Sequence, residues 1–138
     1  MSDPTPAAPA PAVVRAIVAG HGSFAAGLVS AVEQITGRGG VLRAVSVAGL
    51  GADDIERTLR ELMDETGARV IFTDLQAGSC SMAGRRILRV ASDAVLVCGT
   101  NLPVLLDFVF ADGVEAPQAA RHAVERGRAA ISVLGAGA

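Results

Sequence analysis

The sequence predicts an α/β fold: a doubly wound, mainly parallel sheet with helices on both faces. Three observations predict it. Short apolar runs alternate with segments of helical spacing along the whole chain. The apolar runs are continuous where an exposed sheet would alternate, as strands buried on both faces require. Hydrophobic residues make up 51% of the 138 residues but aromatic residues only 3%, so the core is large and aliphatic.

The elements follow in order. Residues 1–12 hold four prolines among alanines and read as a flexible Pro/Ala-rich leader, leaving 13–138 as a single domain. The first strand spans 13–19 and stops at Gly20-His21-Gly22. A helix over 24–36 places Phe24, Leu28, Val32 and Ile35 on one face, with Ser23 as N-cap and Gly37 just past its end. The second strand covers 41–47. Asp53 caps a second helix, with Glu56 three residues on as in a capping box, and with Ile55, Leu59 and Leu62 inward. The third strand, 69–73, ends at Asp74, and Ser79 or Ser81 starts a helix running to about residue 91. A fourth strand at 94–98 precedes helices at 102–110 and from Pro117 to about Gly127, the proline suiting a first helical position. A last short strand covers 131–134.

Single-helix crossovers keep successive strands parallel and are right-handed. Two helices separate the fourth and fifth strands, so the fifth is expected to run antiparallel. The expected order is flavodoxin-like, 2-1-3-4, with this antiparallel strand added at the C-terminus.

Composition excludes several function classes. Net charge is -2 and no tryptophan or tyrosine is present, so neither a phosphate-backbone footprint nor a stacking platform for nucleic acid is available. All basic side chains are arginine, which removes Schiff-base lysines and a P-loop lysine. Cys80 and Cys98 are expected as free thiols in a reducing compartment. The leader lacks the charged and apolar regions of a signal peptide. The most apolar stretch, 94–111, is broken by Asn101, Pro103 and Asp107, where a span needs about 20 apolar residues. The expectation is a soluble, cytoplasmic protein without direct membrane insertion.

In an open α/β sheet, ligands bind beyond the carboxyl ends of the strands, where the winding reverses. With the first and third strands adjacent, His21 and Asp74 end side by side. A carboxylate that accepts from one ring nitrogen fixes the tautomer and leaves the other nitrogen as a nucleophile. The helix starts at Gly22-Ser23 and at Ser79 supply N–H groups for an anion. A nucleophilic His21, an orienting Asp74 and a phosphate-sized site at Gly22, Ser23 and Ser79 together describe phosphoryl transfer through a phosphohistidine.

Plainer roles compete. A lone histidine in a small domain is more often structural, but His21 sits between glycines at a strand end. His122 lies in a charged helical run and reads as solvated. Asp74 and Ser79 also suit helix caps, and Asn101 suits the turn after the fourth strand. Arg85, Arg86 and Arg89 form a basic stripe of the kind that is usually solvated. Gly20, Gly22 and Ala25 fit a dinucleotide fingerprint, but the second strand ends in Val47-Ala48-Gly49 with no acid for a ribose. A Ser79–His21–Asp74 hydrolase lacks the G-x-S-x-G elbow. One histidine and one aspartate are too few ligands for a metal. Cys80, at a helix start, has a place that can lower a thiol pKa, although a buried, inert cysteine is commoner there. No cofactor and no metal are expected.

Three segments carry a family resemblance: 16–28 (AIVAGHGSFAAGL), 72–79 (FTDLQAGS) and 99–106 (GTNLPVLL). Together and in this order they resemble the IIA components of the mannose/sorbose family of the bacterial phosphotransferase system (PTS EIIA type-4). The resemblance covers about residues 14–110. It implies a cytoplasmic phosphocarrier that takes a phosphoryl group from phospho-HPr onto His21 and passes it to a separate IIB component. It also implies that Asp74 supports the histidine, that Ser79 lies at the phosphate, and that the chain is a homodimer exchanging its last strand. Ala77-Gly78 stands where the family often has two glycines, and Cys80 where it often has proline or valine. A related carrier family serves dihydroxyacetone kinases, but the Thr-Asp-Leu and Asn-Leu-Pro segments favour sugar transport. A regulatory phosphohistidine protein that senses phosphotransferase state without transport has the same histidine site.

Overall fold

The computed structural model describes residues 12–137; the Pro/Ala leader lies outside the described residues except for Ala12. Its four strands are β1 (Ala16–Gly20), β2 (Leu42–Ser46), β3 (Val70–Thr73) and β4 (Val95–Val97). The helices are α1 (Phe24–Thr36), α2 (Ala52–Thr66), α3 (Ser79–Leu88), α4 (Leu102–Phe110) and α5 (Ala116–Ala129). The strands form one parallel sheet in the order β2-β1-β3-β4, as the sequence predicts.

The sheet is the middle of three layers. Alternate strand residues face opposite ways, so Ala16, Val18, Val70 and Phe72 pack against α1, α4 and α5. Ile17, Ala19, Val45 and Ile71 pack against α2 and α3. All five residues of β1 and all four of β3 are buried, which is why both segments read as unbroken apolar runs. Phe72 and Phe108 meet edge to face with ring centroids 5.1 Å apart, a rare aromatic pair in an aliphatic core.

Several local expectations are corrected. Asp53 does not cap α2: Gly51 holds that position, and the Asp53 carboxylate accepts from Arg86 Nη1 of α3 at 2.8 Å. The capping box with Glu56 therefore does not form, and Asp53 and Asp54 act on the first turn through the helix dipole. Ser23 is the N-cap residue of α1, but its side chain makes no cap hydrogen bond. Ile35 is 61% exposed, because α1 rolls Val32 and Ala25 onto the sheet and leaves its last turn at the rim. On α2 the most deeply buried third position is Met63, with Leu62 half-buried beside it. α5 starts at Ala116, one residue before Pro117, and continues two residues past Gly127.

The larger difference is at the C-terminus. Residues 131–134, expected as an antiparallel strand, form no strand in the single chain. Ile131, Val133 and Leu134 are 75%, 81% and 89% exposed. A four-residue strand has no stability of its own and exists only on a sheet edge. The sheet has two outer edges, β2 and β4; β4, whose residues are all half-buried, is the one beside α5.

The register places the site. Ala19 of β1 pairs with Thr73 of β3, so both strands stop at the same level. Gly20-His21 and Asp74 therefore emerge side by side. The chain leaves β1 for one face of the sheet and reaches β3 from the other, so this is the reversal point of the winding.

Candidate phosphoryl-transfer site

His21 and Asp74 meet as expected. Asp74 Oδ2 accepts twice from the same residue: from the His21 backbone N–H at 2.8 Å and from ring Nδ1 at 2.7 Å. The backbone bond fixes where the carboxylate sits relative to the chain, and the ring bond then fixes the imidazole. An ionised carboxylate only accepts, so Nδ1 carries the hydrogen and Nε2 is left with its lone pair. The imidazole side chain is 58% exposed and the carboxylate only 11%. The pair is thus anchored on its acidic side and open on its nucleophilic side.

Burial alone would raise the Asp74 pKa. The two hydrogen bonds from His21 and the charge of its ring outweigh burial, and the net shift is downward from 3.8. Asp74 stays ionised through the neutral and weakly acidic range.

Glycine makes this approach possible. A Cβ on Gly20 would lie 2.5 Å from Phe24 Cδ1 and 3.1 Å from both Cγ and Oδ2 of Asp74. A methyl group there displaces the carboxylate or the ring. Gly78 closes the other side: it has φ +138, and a Cβ on it would stand 3.6 Å from His21 Cε1.

The remaining expected residues divide. Gly22, with φ +55, and Ser23 form the turn into α1, where Phe24 N–H returns to the His21 carbonyl at 3.1 Å. Ser79 is the first residue of α3, at the helix N-terminus beside Gly78. No serine hydroxyl among the described residues hydrogen-bonds to His21, so the hydrolase arrangement is not assembled. Cys80 is buried; burial pushes its thiol pKa up, the nearby Asp74 charge adds to this, and a hydrogen bond with Ser79 opposes it. It is an inert thiol, not an activated one. Asn101 caps α4, accepting from Val104 N–H at 3.1 Å, and donates to the Gly127 carbonyl at 3.0 Å. His122 is exposed on α5. No group of three metal-ligating side chains occurs among the described residues.

Sequence reasoning missed the supports of the loop between β3 and α3. Thr73 Oγ1 and Ser81 Oγ lie 2.7 Å apart in the core, and Ser81 reaches the Leu75 carbonyl. Arg85, assigned to a solvated stripe, donates to the Gln76 carbonyl at 3.0 Å. The only sequence signal was a second hydroxyl, Ser81, close behind Ser79, and it read as an alternative helix start.

A family model described as PTS system fructose IIA component, EIIA-man, matches residues 15–125. No curated protein sequence matches the chain. Among solved structures, the mannose/sorbose-specific IIA subunit of the phosphotransferase system from Enterococcus faecalis is similar at 15% identity and a TM-score of 0.76, covering 89% of this chain and 96% of that one. EIIA from Streptococcus agalactiae is similar at 19% identity and a TM-score of 0.77, covering 87% of this chain and 96% of that one. The IIA protein associated with the fucose utilization operon of Streptococcus pneumoniae is similar at 20% identity and a TM-score of 0.75, covering 86% of this chain and 91% of that one. At these identities the structures speak for the fold, and the matched family model spans the sheet, His21, Asp74 and most of α5: the chain belongs to the EIIA-man family of phosphotransferase-system IIA components.

Proposed function

We propose that this chain is a phosphohistidine carrier of the phosphoenolpyruvate-dependent sugar phosphotransferase system, accepting a phosphoryl group from phospho-HPr on His21 and passing it to a IIB component. The observation that carries the reading is the double grip of Asp74 Oδ2 on His21, which leaves Nε2 exposed with its lone pair.

In the forward step the Nε2 lone pair attacks the phosphorus of phospho-HPr. A new N–P bond forms as the donor N–P bond breaks, and that electron pair returns to the donor imidazole. The Nδ1 hydrogen stays on His21, facing Asp74. The phosphorylated ring then carries positive charge, which the adjacent carboxylate stabilises. Transfer to IIB is the same displacement with His21 as leaving group. The N–H groups at the starts of α1 and α3, with the hydroxyls of Ser23 and Ser79, receive the phosphoryl oxygens. Leu75, which lies against Gly78 beside the imidazole and is 51% exposed, offers an apolar rim for a protein donor.

The reading extends to assembly and place. The chain acts in the cytoplasm, and no helix among the described residues is long and apolar enough to cross a membrane. It forms a homodimer in which residues 131–134 of each copy pair with the β4 edge of the other. A groove of about 550 Å³ runs along that edge, lined by Leu96, Cys98, Val124 and Arg128 among others and holding none of the His21 site. The exposed apolar tail and the unpaired edge complement one another.

The test is incubation with phosphoenolpyruvate, enzyme I and HPr, followed by intact-mass measurement. One acid-labile, alkali-stable phosphoryl group is expected on the wild-type chain and none on His21→Ala. Phosphorylation of His21→Ala overturns the assignment.

A further inference from the structure

The loop between β3 and α3 carries Asp74, bonded to His21, at its start and Gly78, where a Cβ would stand 3.6 Å from His21 Cε1, at its end. Its carbonyls are held from α3. Ser81 Oγ donates to the Leu75 carbonyl, and Thr73 Oγ1 lies 2.7 Å from Ser81 Oγ. Each hydroxyl has one hydrogen. With Ser81 donating to Leu75, Thr73 donates to Ser81, and the two form a directed chain ending on the loop. Both residues are buried, Thr73 at 0% and Ser81 at 1% exposure. Thr73 Oγ1 also lies 3.3 Å from the Leu75 carbonyl and 3.4 Å from the Val97 carbonyl of β4. Buried hydroxyls in an apolar core are costly when unpaired, so the pair gains from keeping the Leu75 carbonyl in place.

Arg85 makes the second attachment. It lies four residues after Ser81, on the same side of α3, and its Nη2 donates to the next carbonyl, that of Gln76, at 3.0 Å. One helix thus holds two successive carbonyls directly after Asp74. Neither side chain hydrogen-bonds to His21.

We propose that Ser81 and Arg85, backed by Thr73, are positioning residues for His21: by clamping the loop to α3 they keep Asp74 Oδ2 aimed at Nδ1. The catalytic consequence rests on His21 being the phosphoryl acceptor; the effect on its tautomer does not. Free histidine favours the Nε2–H tautomer, the wrong form for attack through Nε2. Holding the Nδ1–H form requires the carboxylate to stay in place, so a loosened loop returns the ring towards its free preference.

The test reads the ring directly. Ring-¹⁵N-labelled wild type, Ser81→Ala, Thr73→Val and Arg85→Gln are compared by NMR in mildly alkaline buffer, alongside the rate of phosphoryl acceptance from phospho-HPr. Arg89→Gln, exposed just past the end of α3 and bonded to nothing in the loop, is the control. The wild type is expected in the Nδ1–H form. Ser81→Ala and Arg85→Gln are expected to show a mixed tautomer population and acceptance slowed about tenfold, since small misplacements of reacting groups carry losses of that order. Thr73→Val combined with Ser81→Ala should slow acceptance by less than the two single losses multiplied, because both hydroxyls serve the same Leu75 carbonyl. Arg89→Gln should match wild type. If Ser81→Ala fails to fold, Arg85→Gln decides, since its side chain lies outside the core. Wild-type tautomer populations in folded Ser81→Ala and Arg85→Gln overturn the proposal. Tautomer loss in those variants, with no phosphoryl acceptance even by the wild type, supports the clamp and overturns the phosphocarrier reading instead.

Discussion

At the level of single residues the proposed chemistry rests on Asp74 and His21, and Asp74→Asn separates charge from shape. An amide of the same size can present its NH2 group to Nδ1 and favour the wrong tautomer. We expect phosphoryl transfer slowed on the order of a hundredfold with little change in thermal stability. Stopped transfer assays against melting curves check this, and a wild-type rate would reduce Asp74 to a structural turn residue. The acid response has a definite sign. The folded pKa of Asp74 is depressed below 3.8, so its contribution to stability is whole above that value and is lost as pH falls through the folded pKa. Asp74→Asn should therefore lose less stability than wild type on acidification below about pH 4, as acid titrations followed by circular dichroism would register. Gly20→Ala tests the close approach. Its methyl group meets Phe24 Cδ1 at 2.5 Å and the Asp74 carboxylate at 3.1 Å. A loss of about 1–3 kcal/mol is expected from overpacking, together with slower transfer. A variant as stable and as fast as wild type would mean that both neighbours move aside freely.

Elements are joined by side chains that reach across loops. Asn101 ends the turn after β4, caps α4 and holds the carbonyl of Gly127 on α5. Arg15 does the same at the opposite end of the sheet, donating to the Ala111 and Val114 carbonyls between α4 and α5 while its guanidinium stacks on Phe108. Loss of both Asn101 contacts in Asn101→Ala should cost about 1–3 kcal/mol, the sum of a cap and a partly buried hydrogen bond. Asn101→Asp keeps the acceptor for Val104 but not the donor for Gly127, and should recover part of that loss. Denaturant titration of the three proteins checks the order, and equal stability of Asn101→Ala and wild type would remove the link between α4 and α5 from the account.

Assembly belongs to the whole molecule. Residues 131–134 form an exposed apolar segment, and β4, paired with β3 on one side, is open on the other. An edge strand of this kind is a site for pairing with another chain. Removing residues 128–138 takes away the pairing segment and the end of α5, and is expected to convert a dimer into monomer or aggregate. Sedimentation of the full-length and truncated chains decides it: a full-length monomer at micromolar concentration, or a truncated chain that stays a well-behaved dimer, overturns the exchange.

The strands and their parallel sense were legible in the sequence because they depend on local pattern; the order 2-1-3-4, and with it the meeting of His21 with Asp74, followed from the flavodoxin-like winding that such alternation commonly takes. β1 and β3 are buried on both faces, so their apolar runs are continuous; helix periodicity and glycine stops then fix where each strand ends. Once two neighbouring strands stop at one level, the residues that follow them are adjacent whatever their separation in the chain. The distribution of polar partners was not legible. Asp53 has every local mark of a cap, yet it serves Arg86 of another helix; Arg85 reads as solvated, yet it holds the Gln76 carbonyl of the loop between β3 and α3; Ser81 reads as a helix start, yet it lies in the core beside Thr73. A side-chain hydrogen bond depends on what the fold brings within about 3 Å, a distance that no spacing along the chain encodes. The fate of residues 131–134 is of the same kind. Their sequence is that of a strand, but a strand exists only against an edge, and which edge is available is decided by tertiary and quaternary packing.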